Sequence, residues 1–270
     1  MTQRVIITRR QALIGGLAGS GLLLSGCSKI FQADALTESA SFQRVLAAAQ
    51  GWTHATQRLL LADGGMAREY KPSDISPYFK PNGTLNPGGE DYTRQAAQGF
   101  VNWRLRIDGM VDHPLSLSVA DLRRLPSRSQ ITRHDCVEGW SAIGGWTGVQ
   151  LGLLLRAAGL RAGSRYVVFY CADDLGGEPA KGGDQSPGQY YESIGLVDAM
   201  HPQTIIAYDM NGKPLDVPHG APLRLRVERQ LGYKMAKYVR HIQVVSDFRG
   251  IAGGHGGYWE DRGYDWYAGI

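Results

Sequence analysis

Cysteine is nearly absent from this chain of 270 residues, which carries only Cys27, Cys136 and Cys171. Three are too few for a disulfide framework, and with Cys27 accounted for separately below they leave one pair or one ligand. No CxxCH haem attachment and no second redox motif occurs, and neither a His-x-x-x-His nor a paired-cysteine spacing supports a zinc hydrolase. Excess charge is also scarce: the formal net charge is +4, part of it in the N-terminal stretch, which gives no reason to expect nucleic acid as a partner. The apolar run at residues 12–24 is too short and too glycine-rich for an ordinary spanning helix. There is no internal repeat and no low-complexity tract. What the chain does have is 36 Gly and 12 Pro, in a composition 43% hydrophobic and 20% charged, as expected of a globular protein with many turns and long connections.

The first 27 residues read as an address. Arg9 and Arg10 stand side by side before the apolar run, the arrangement of a twin-arginine export signal. The run closes on Leu24-Ser25-Gly26-Cys27, similar to a bacterial lipobox, in which the cysteine is acylated and begins the mature chain. The expected location is therefore the periplasmic or cell-surface side, with a lipid at Cys27 holding the protein to a membrane. Twin-arginine routes carry folded cargo, often already loaded with a cofactor, so an inserted cofactor is expected.

The mature chain divides into an N-terminal helical extension, residues 28–70, and a domain at 71–270. Phe42, Val45, Leu46, Ala49 and Trp52 recur at helical spacing and predict one or two helices within 39–62. Pro72, Pro77, Pro81 and Pro87 forbid regular structure from 71 to 91, which predicts a long ordered arm. Strands are expected at 103–107, 166–171, 204–208, 223–227 and 238–245, with short helices at 118–124, 149–158 and 195–199. Strands and helices mix irregularly rather than alternating as βαβ units, which predicts an α+β domain.

Chemistry concentrates in two segments. Cys136 lies in Arg133-His134-Asp135-Cys136-Val137-Glu138-Gly139-Trp140-Ser141, followed by Gly145-Trp146-Thr147-Gly148-Val149. A thiol in a glycine- and tryptophan-rich loop suits a soft metal centre with a bulky ligand, although a lone cysteine is by itself more often buried and inert. Further on, His219-Gly220-Ala221-Pro222-Leu223-Arg224 precedes Gly232-Tyr233-Lys234-Met235-Ala236-Lys237. Arg224 offers a planar fork for phosphate, Lys234 and Lys237 offer point charges, and Gly232 allows close backbone approach.

Together the two segments resemble the sulfite oxidase family of molybdopterin enzymes, including its bacterial sulfoxide-reductase branch, over residues 74–248. The resemblance implies a mixed-sheet sulfite-oxidase-type molybdopterin-binding fold and molybdenum with molybdopterin as cofactors. It also implies Cys136 as catalytic metal ligand, and Asn82, His219, Arg224, Lys234, Met235, Ala236 and Lys237 as cofactor-binding residues. Cys171 falls where the sulfoxide-reductase branch carries Thr, and burial is its expected role. The implied activity is two-electron oxygen-atom transfer on a small substrate, sulfite-like or sulfoxide-like, with electrons exchanged through a separate cytochrome or membrane haem protein. A binding lipoprotein that keeps the fold without catalysis is the alternative. Arg133, His134, Arg94 and Arg262 are the cations available for an anionic substrate, and the aromatic tail at 253–267 is expected either to line a substrate funnel or to cap the core.

Replacing both Arg9 and Arg10 by Lys is expected to block export, with the precursor accumulating in the cytoplasm. Immunoblots of fractionated cells check this, and normal export would point to the general secretory route.

Overall fold

The computed structural model describes residues 64–176 and 188–270. The export signal, the lipobox and the helices expected within 39–62 lie outside the described residues.

Two sheets form the domain. The first runs β2-β1-β10-β5-β6, with β1 at Arg104–Gly109, β2 at Leu115–Ser118, β5 at Tyr166–Asp174, β6 at Gln189–Gly195 and β10 at Val239–Val245. The second runs β3-β4-β7-β8, with β3 at Ser127–Asp135, β4 at Ser141–Gln150, β7 at Ile205–Met210 and β8 at Lys213–Pro214; β9, Arg224–Arg226, pairs with β7. β10 pairs in parallel with β1, Ile107 opposite Ile242, and antiparallel with β5, so the first sheet is mixed. Among the described residues the α-helices are few and short: α1 at Glu90–Ala97, α2 at Val119–Arg124, α3 at Leu151–Ala158 and α4 at Leu196–Ala199. This is the α+β arrangement that the irregular order of strand and helix signals predicts.

Local chemistry explains most boundaries. On β1, Leu105 and Ile107 turn inward while Arg104 and Arg106 face out, the period-two pattern of a half-buried strand. β7 is buried along nearly its whole length, as a central strand is, and β6, although at the edge of its sheet, is buried as well, with the tail bridging to it between Gly257 and Glu192. α2 opens with Ser118 and Asp121 in a capping box, and α3 buries Leu151, Leu154, Leu155 and Ala158 before Gly159 ends it in the left-handed conformation. The main core lies between the sheets around Leu105, Ile107, Phe169, Leu225 and Ile242, and a smaller one gathers Phe79, Trp146, Ile205 and Met210 beside the β3–β4 hairpin.

The arm at 71–91 is irregular as its prolines require, apart from one 3-10 turn at Pro72–Asp74 and the first residues of α1. Just before it, Glu69 bridges Thr132 and the Tyr70 N–H donates to the Ile131 carbonyl at 2.8 Å, so the last residues of the N-terminal extension already run along β3.

β4 must bend where it meets β7, because their register shifts between Thr147 and Gly148. A Cβ at Gly148 would overlap the Ile206 carbonyl and stand 2.6 Å from the Ala207 Cα. Gly148→Ala is therefore expected to destabilise the domain by about 1–3 kcal/mol, the usual range for forcing a methyl into a packed site. Urea denaturation measures it, and an unchanged midpoint would show that the strands can separate freely here.

Candidate functional site

Cys136 occupies the turn between β3 and β4. Its N–H donates to the Trp140 carbonyl at 2.9 Å, and its own carbonyl accepts from the Gly139 N–H at 3.0 Å, so the turn closes around the sulfur. Glu138 pins the outside of the turn, accepting from Trp140 Nε1 and from Lys80 Nζ, each at 3.0 Å. Lys80 belongs to the arm, and the neighbouring Phe79 packs edge-on against Trp140 and Trp146. Cys136 is buried but free, as is Cys171, so no disulfide competes for the sulfur. Burial raises the Cys136 thiol, against which the Glu138 N–H pulls down; a bound soft cation would take it as the thiolate and release its proton. Among the described residues, no group of three or more His, Cys, Asp or Glu side chains is placed to hold a metal ion.

The second segment meets the first directly. Gly232 opens a 3-10 turn, Gly232–Lys234, and a Cβ there would overlap the imidazole of His134, two residues before Cys136. His134 is fully buried, with Nδ1 3.1 Å from Arg226 Nη1 and 3.3 Å from Met235 Sδ. Burial, with Arg226, Arg224 and Lys237 nearby, holds it well below the usual histidine range, so it is neutral. One cleft is lined by Cys136, Asn82, Met235 and Lys237 from the expected set, together with Thr84 and Asp173.

The cations of this region divide into two kinds. Arg226 is fully buried and held bidentately by Glu228 at 2.9 and 2.6 Å. Lys234, also fully buried, donates to Glu192 at 2.5 Å and to Glu260. Arg224 is just as buried but faces only neutral groups, the His219 carbonyl and Asn82 Oδ1, both at 3.2 Å; its Nε has no partner. Lys237, 5% exposed, donates to the carbonyls of Thr84 and Pro218 and reaches no carboxylate. Burial and the adjacent Arg226 push Arg224 down to about 9, while burial and Arg224 push Lys237 down to about 7. Two buried cations without a counter-ion are costly unless an anion completes them. A terminal phosphate held by Arg224, Lys237 and Asn82 fits that requirement. Thr84 Oγ1 and Asp173 Oδ1, buried and unpartnered in the same cleft, offer polar contacts to a heterocycle.

The remaining expected residues support the cleft from behind. Lys234 gives its charge to a carboxylate pair and does not present it to the cleft. His219 has both ring nitrogens engaged, with Asp216 Oδ1 at 2.6 Å and the Phe79 carbonyl at 3.0 Å, so it ties the arm to the segment that carries Arg224. Ala236 is buried, its carbonyl accepting from the Leu225 N–H at 2.8 Å. Cys171 is fully buried in β5. Trp259 and Tyr264, from the tail expected to line a funnel or cap the core, line the cleft, while Asp173, Thr84 and Tyr190 are additions that the sequence reading did not assign; for Asp173 the available signal was an acidic residue closing an apolar strand, which burial pushes up to about 6.

The chain is similar to several known proteins. Residues 93–250 match the family described as the oxidoreductase molybdopterin binding domain. Over 261 residues the chain is 34% identical to a protein of Azospira oryzae named as a protein-methionine-sulfoxide reductase subunit, YedZ1, spanning 97% of this chain and 86% of that one. It is 36% identical over 144 residues to the protein-methionine-sulfoxide reductase catalytic subunit MsrP of Xanthomonas axonopodis pv. citri, covering 53% of this chain and 45% of the relative. Among solved structures, the sulfane dehydrogenase SoxCD of Paracoccus pantotrophus matches with a TM-score of 0.46 at 22% identity, over 54% of this chain and 39% of that one.

Removing either unpaired cation should loosen a bound phosphate-bearing cofactor. Charge-assisted hydrogen bonds contribute roughly 1.5–3 kcal/mol each, so Arg224→Ala and Lys237→Ala are each expected to weaken retention by about ten- to a hundredfold. Arg224→Lys should restore only part, lacking the planar fork. Molybdenum and pterin content after purification, against Arg161→Ala as a surface control, measures the effect. A pH dependence follows from Lys237: only its protonated form attracts an anion, and burial together with Arg224 lowers it to about 7. Inorganic phosphate should therefore bind the cofactor-free protein more weakly as pH rises from 7 to 9, and Lys237→Arg should flatten the profile.

Proposed function

Because the chain belongs to the oxidoreductase molybdopterin-binding domain family, and is thus a molybdopterin-dependent oxidoreductase with a molybdenum–molybdopterin cofactor, we propose that it reduces a neutral sulfoxide by oxygen-atom transfer, with Cys136 as the protein ligand to the metal. The observation that carries this reading is the charge of the cleft. An anionic substrate such as sulfite calls for cations facing it, and none of the four available serves. Arg133 is exposed and paired with Asp135 at 2.9 Å, and Arg94 is exposed and paired with Asp91. Arg262 donates to the Tyr258 carbonyl at 2.9 Å, and His134 is neutral and covered. The acidic groups of the cleft are Glu138, already paired with Lys80 at 3.0 Å, and Asp173, which burial raises to about 6. Among the described residues its one lining cation is Lys237, which belongs with the phosphate, so no cation is left to face an oxyanion, whereas a neutral S=O group needs none.

The overall conversion is a sulfoxide plus two electrons and two protons giving a thioether and water. The cofactor, when bound, supplies the two-electron redox chemistry. The chain holds and orients it: Cys136 through the sulfur, Arg224, Lys237 and Asn82 through the phosphate. His219 and Glu138 fix the arm over both. Asp173, raised to about 6 in the cleft wall, is a carboxyl able to hold a proton near neutral pH. Electrons come from a separate protein, a cytochrome or a membrane haem protein, since the chain has no second redox motif. The names of the relatives, a subunit and a catalytic subunit, support a separable partner. Among the described residues no helix is long and apolar enough to cross a membrane. Attachment is assigned to a lipid at Cys27 after twin-arginine export, which places the enzyme on the periplasmic or cell-surface side. An inactive binding protein of this fold is disfavoured by the intact set of Cys136, Arg224 and Lys237.

Cys136→Ser is expected to abolish reduction of methionine sulfoxide by a reduced viologen dye while leaving the circular dichroism spectrum unchanged, because a hydroxyl poorly replaces a soft thiolate ligand. Retained turnover in Cys136→Ser would remove the central assignment, and rapid sulfite oxidation by the wild type would reverse the proposed direction.

A further inference from the structure

The C-terminal tail builds a wall that the cofactor does not explain. Trp259 and Tyr264 both line the cleft that contains Cys136. Their rings lie 5.3 Å apart at 30°, and Tyr264 meets Tyr233 edge-on at 5.2 Å. On the other side Trp259 meets Tyr258 edge-on at 5.3 Å, and Tyr258 stacks with Tyr190 at 5.7 Å. Tyr190 closes the circuit by donating its hydroxyl to the Tyr233 carbonyl at 2.5 Å. Five aromatic side chains thus form a continuous surround.

The hydroxyls are turned to the protein. Tyr233 donates to the Asp265 carbonyl at 2.6 Å and Tyr258 to the Gly176 carbonyl at 3.0 Å, so with Tyr190 three of the four tyrosines have their polar ends already engaged. What remains for an incoming group is ring carbon and a negative π face. Such a surface favours polarisable sulfur and methyl groups and offers little to an anion.

Tyr264 is 38% exposed, which puts this wall at the mouth of the cleft. The tail is set there by buried chemistry. Glu260, next to Trp259, is fully buried on Lys234, which also holds Glu192 of β6 at 2.5 Å. The Tyr258 N–H donates to the Tyr191 carbonyl at 2.9 Å, and Gly257 bridges Glu192. Lys234 follows Tyr233 directly, so a single ammonium joins the elements that carry Tyr233, Trp259 and Tyr190.

We propose that Trp259 and Tyr264, with Tyr233 behind them, form the specificity wall that receives the methylsulfinyl end of an oxidised methionine side chain, and that Lys234 and Glu260 are positioning residues that hold this wall beside Cys136. This rests on the sulfoxide-reductase reading given above. The wall selects the thioether portion of the substrate by sulfur–aromatic and methyl–aromatic contact, and its π faces offer little to a charged oxyanion.

The test compares holoenzyme with Trp259→Ala, Tyr264→Ala and the conservative Trp259→Phe, using a short peptide containing methionine sulfoxide. Calorimetric titration of the oxidised, electron-free enzyme gives Kd without turnover, dye-coupled assays give kcat and KM, and metal and pterin analysis gives loading. Losing one aromatic face should raise Kd and KM about tenfold or more, the scale of a buried aromatic contact. Loading should stay full and Trp259→Phe should recover most of the affinity. Glu260→Ala should reproduce the rise in KM, while Glu260→Gln, which keeps a hydrogen bond to Lys234, should not. Unchanged Kd in both alanine variants overturns the proposal and leaves sulfoxide reduction standing. Loss of pterin in those variants also overturns it, because the wall would then belong to the cofactor. A fully loaded wild type that reduces no sulfoxide removes the underlying reading itself.

Discussion

Two cations buried without a counter-ion set the terms for everything around them. Arg224 and Lys237 sit among carbonyls and an amide, while Arg226 and Lys234, equally buried in the same region, are each matched to carboxylates. Leaving two buried cations unpaired at one spot is costly unless an anion completes them. Any anion that bound there in the native state alone would also stabilise that state by mass action. The arm through Asn82 and Thr84, the short strand β9 and the turn before β10 all take their places around this pair.

The rest of the cleft follows from keeping different chemistries apart. The cationic groups come from β9 and the segment that follows the Gly232–Lys234 turn, with the arm as their neutral partner. The thiol comes from a hairpin turn that owes its shape to backbone hydrogen bonds and to the Lys80–Glu138–Trp140 contact. The aromatic surface comes from β6, the turn and the tail. A cationic corner and an aromatic wall thus share one small cleft, each with a differently charged lining.

Much of this was legible in the residues. The inward alternation of Leu105 and Ile107, the apolar run of β5 and the capping Ser118 announced their elements, and the Cys136 and Arg224 segments announced a common site. β3 and β4 did not announce themselves. Gln130, Thr132 and His134 are polar residues buried on one face of β3, and Gly144, Gly145 and Gly148 thin out β4, so neither strand shows the apolar alternation from which strands are read. β6 hides a buried Glu192 whose partners, Lys234 and Glu260, are distant in sequence. For the same reason Lys234 reads as a phosphate ligand in isolation and proves to be one corner of a buried ion cluster. The tail was recognisable as unusual, but its role depends on ring-to-ring contacts that spacing does not encode.

The parallel pairing of β1 with β10 fixes an order of events. The strand at 104–109 receives its neighbour only from 239–245, and Asn82 in the arm waits for Arg224 and Lys237. Contacts of such sequence separation form late and slowly, because the loop must close before anything rewards it. A growing chain therefore cannot close the first sheet, or complete the wall of the cleft around Cys136, until residues 239–264 have left the ribosome. The two ends of the domain are bound into one folding event, and a chain cut short of β10 would leave β1 without its parallel neighbour.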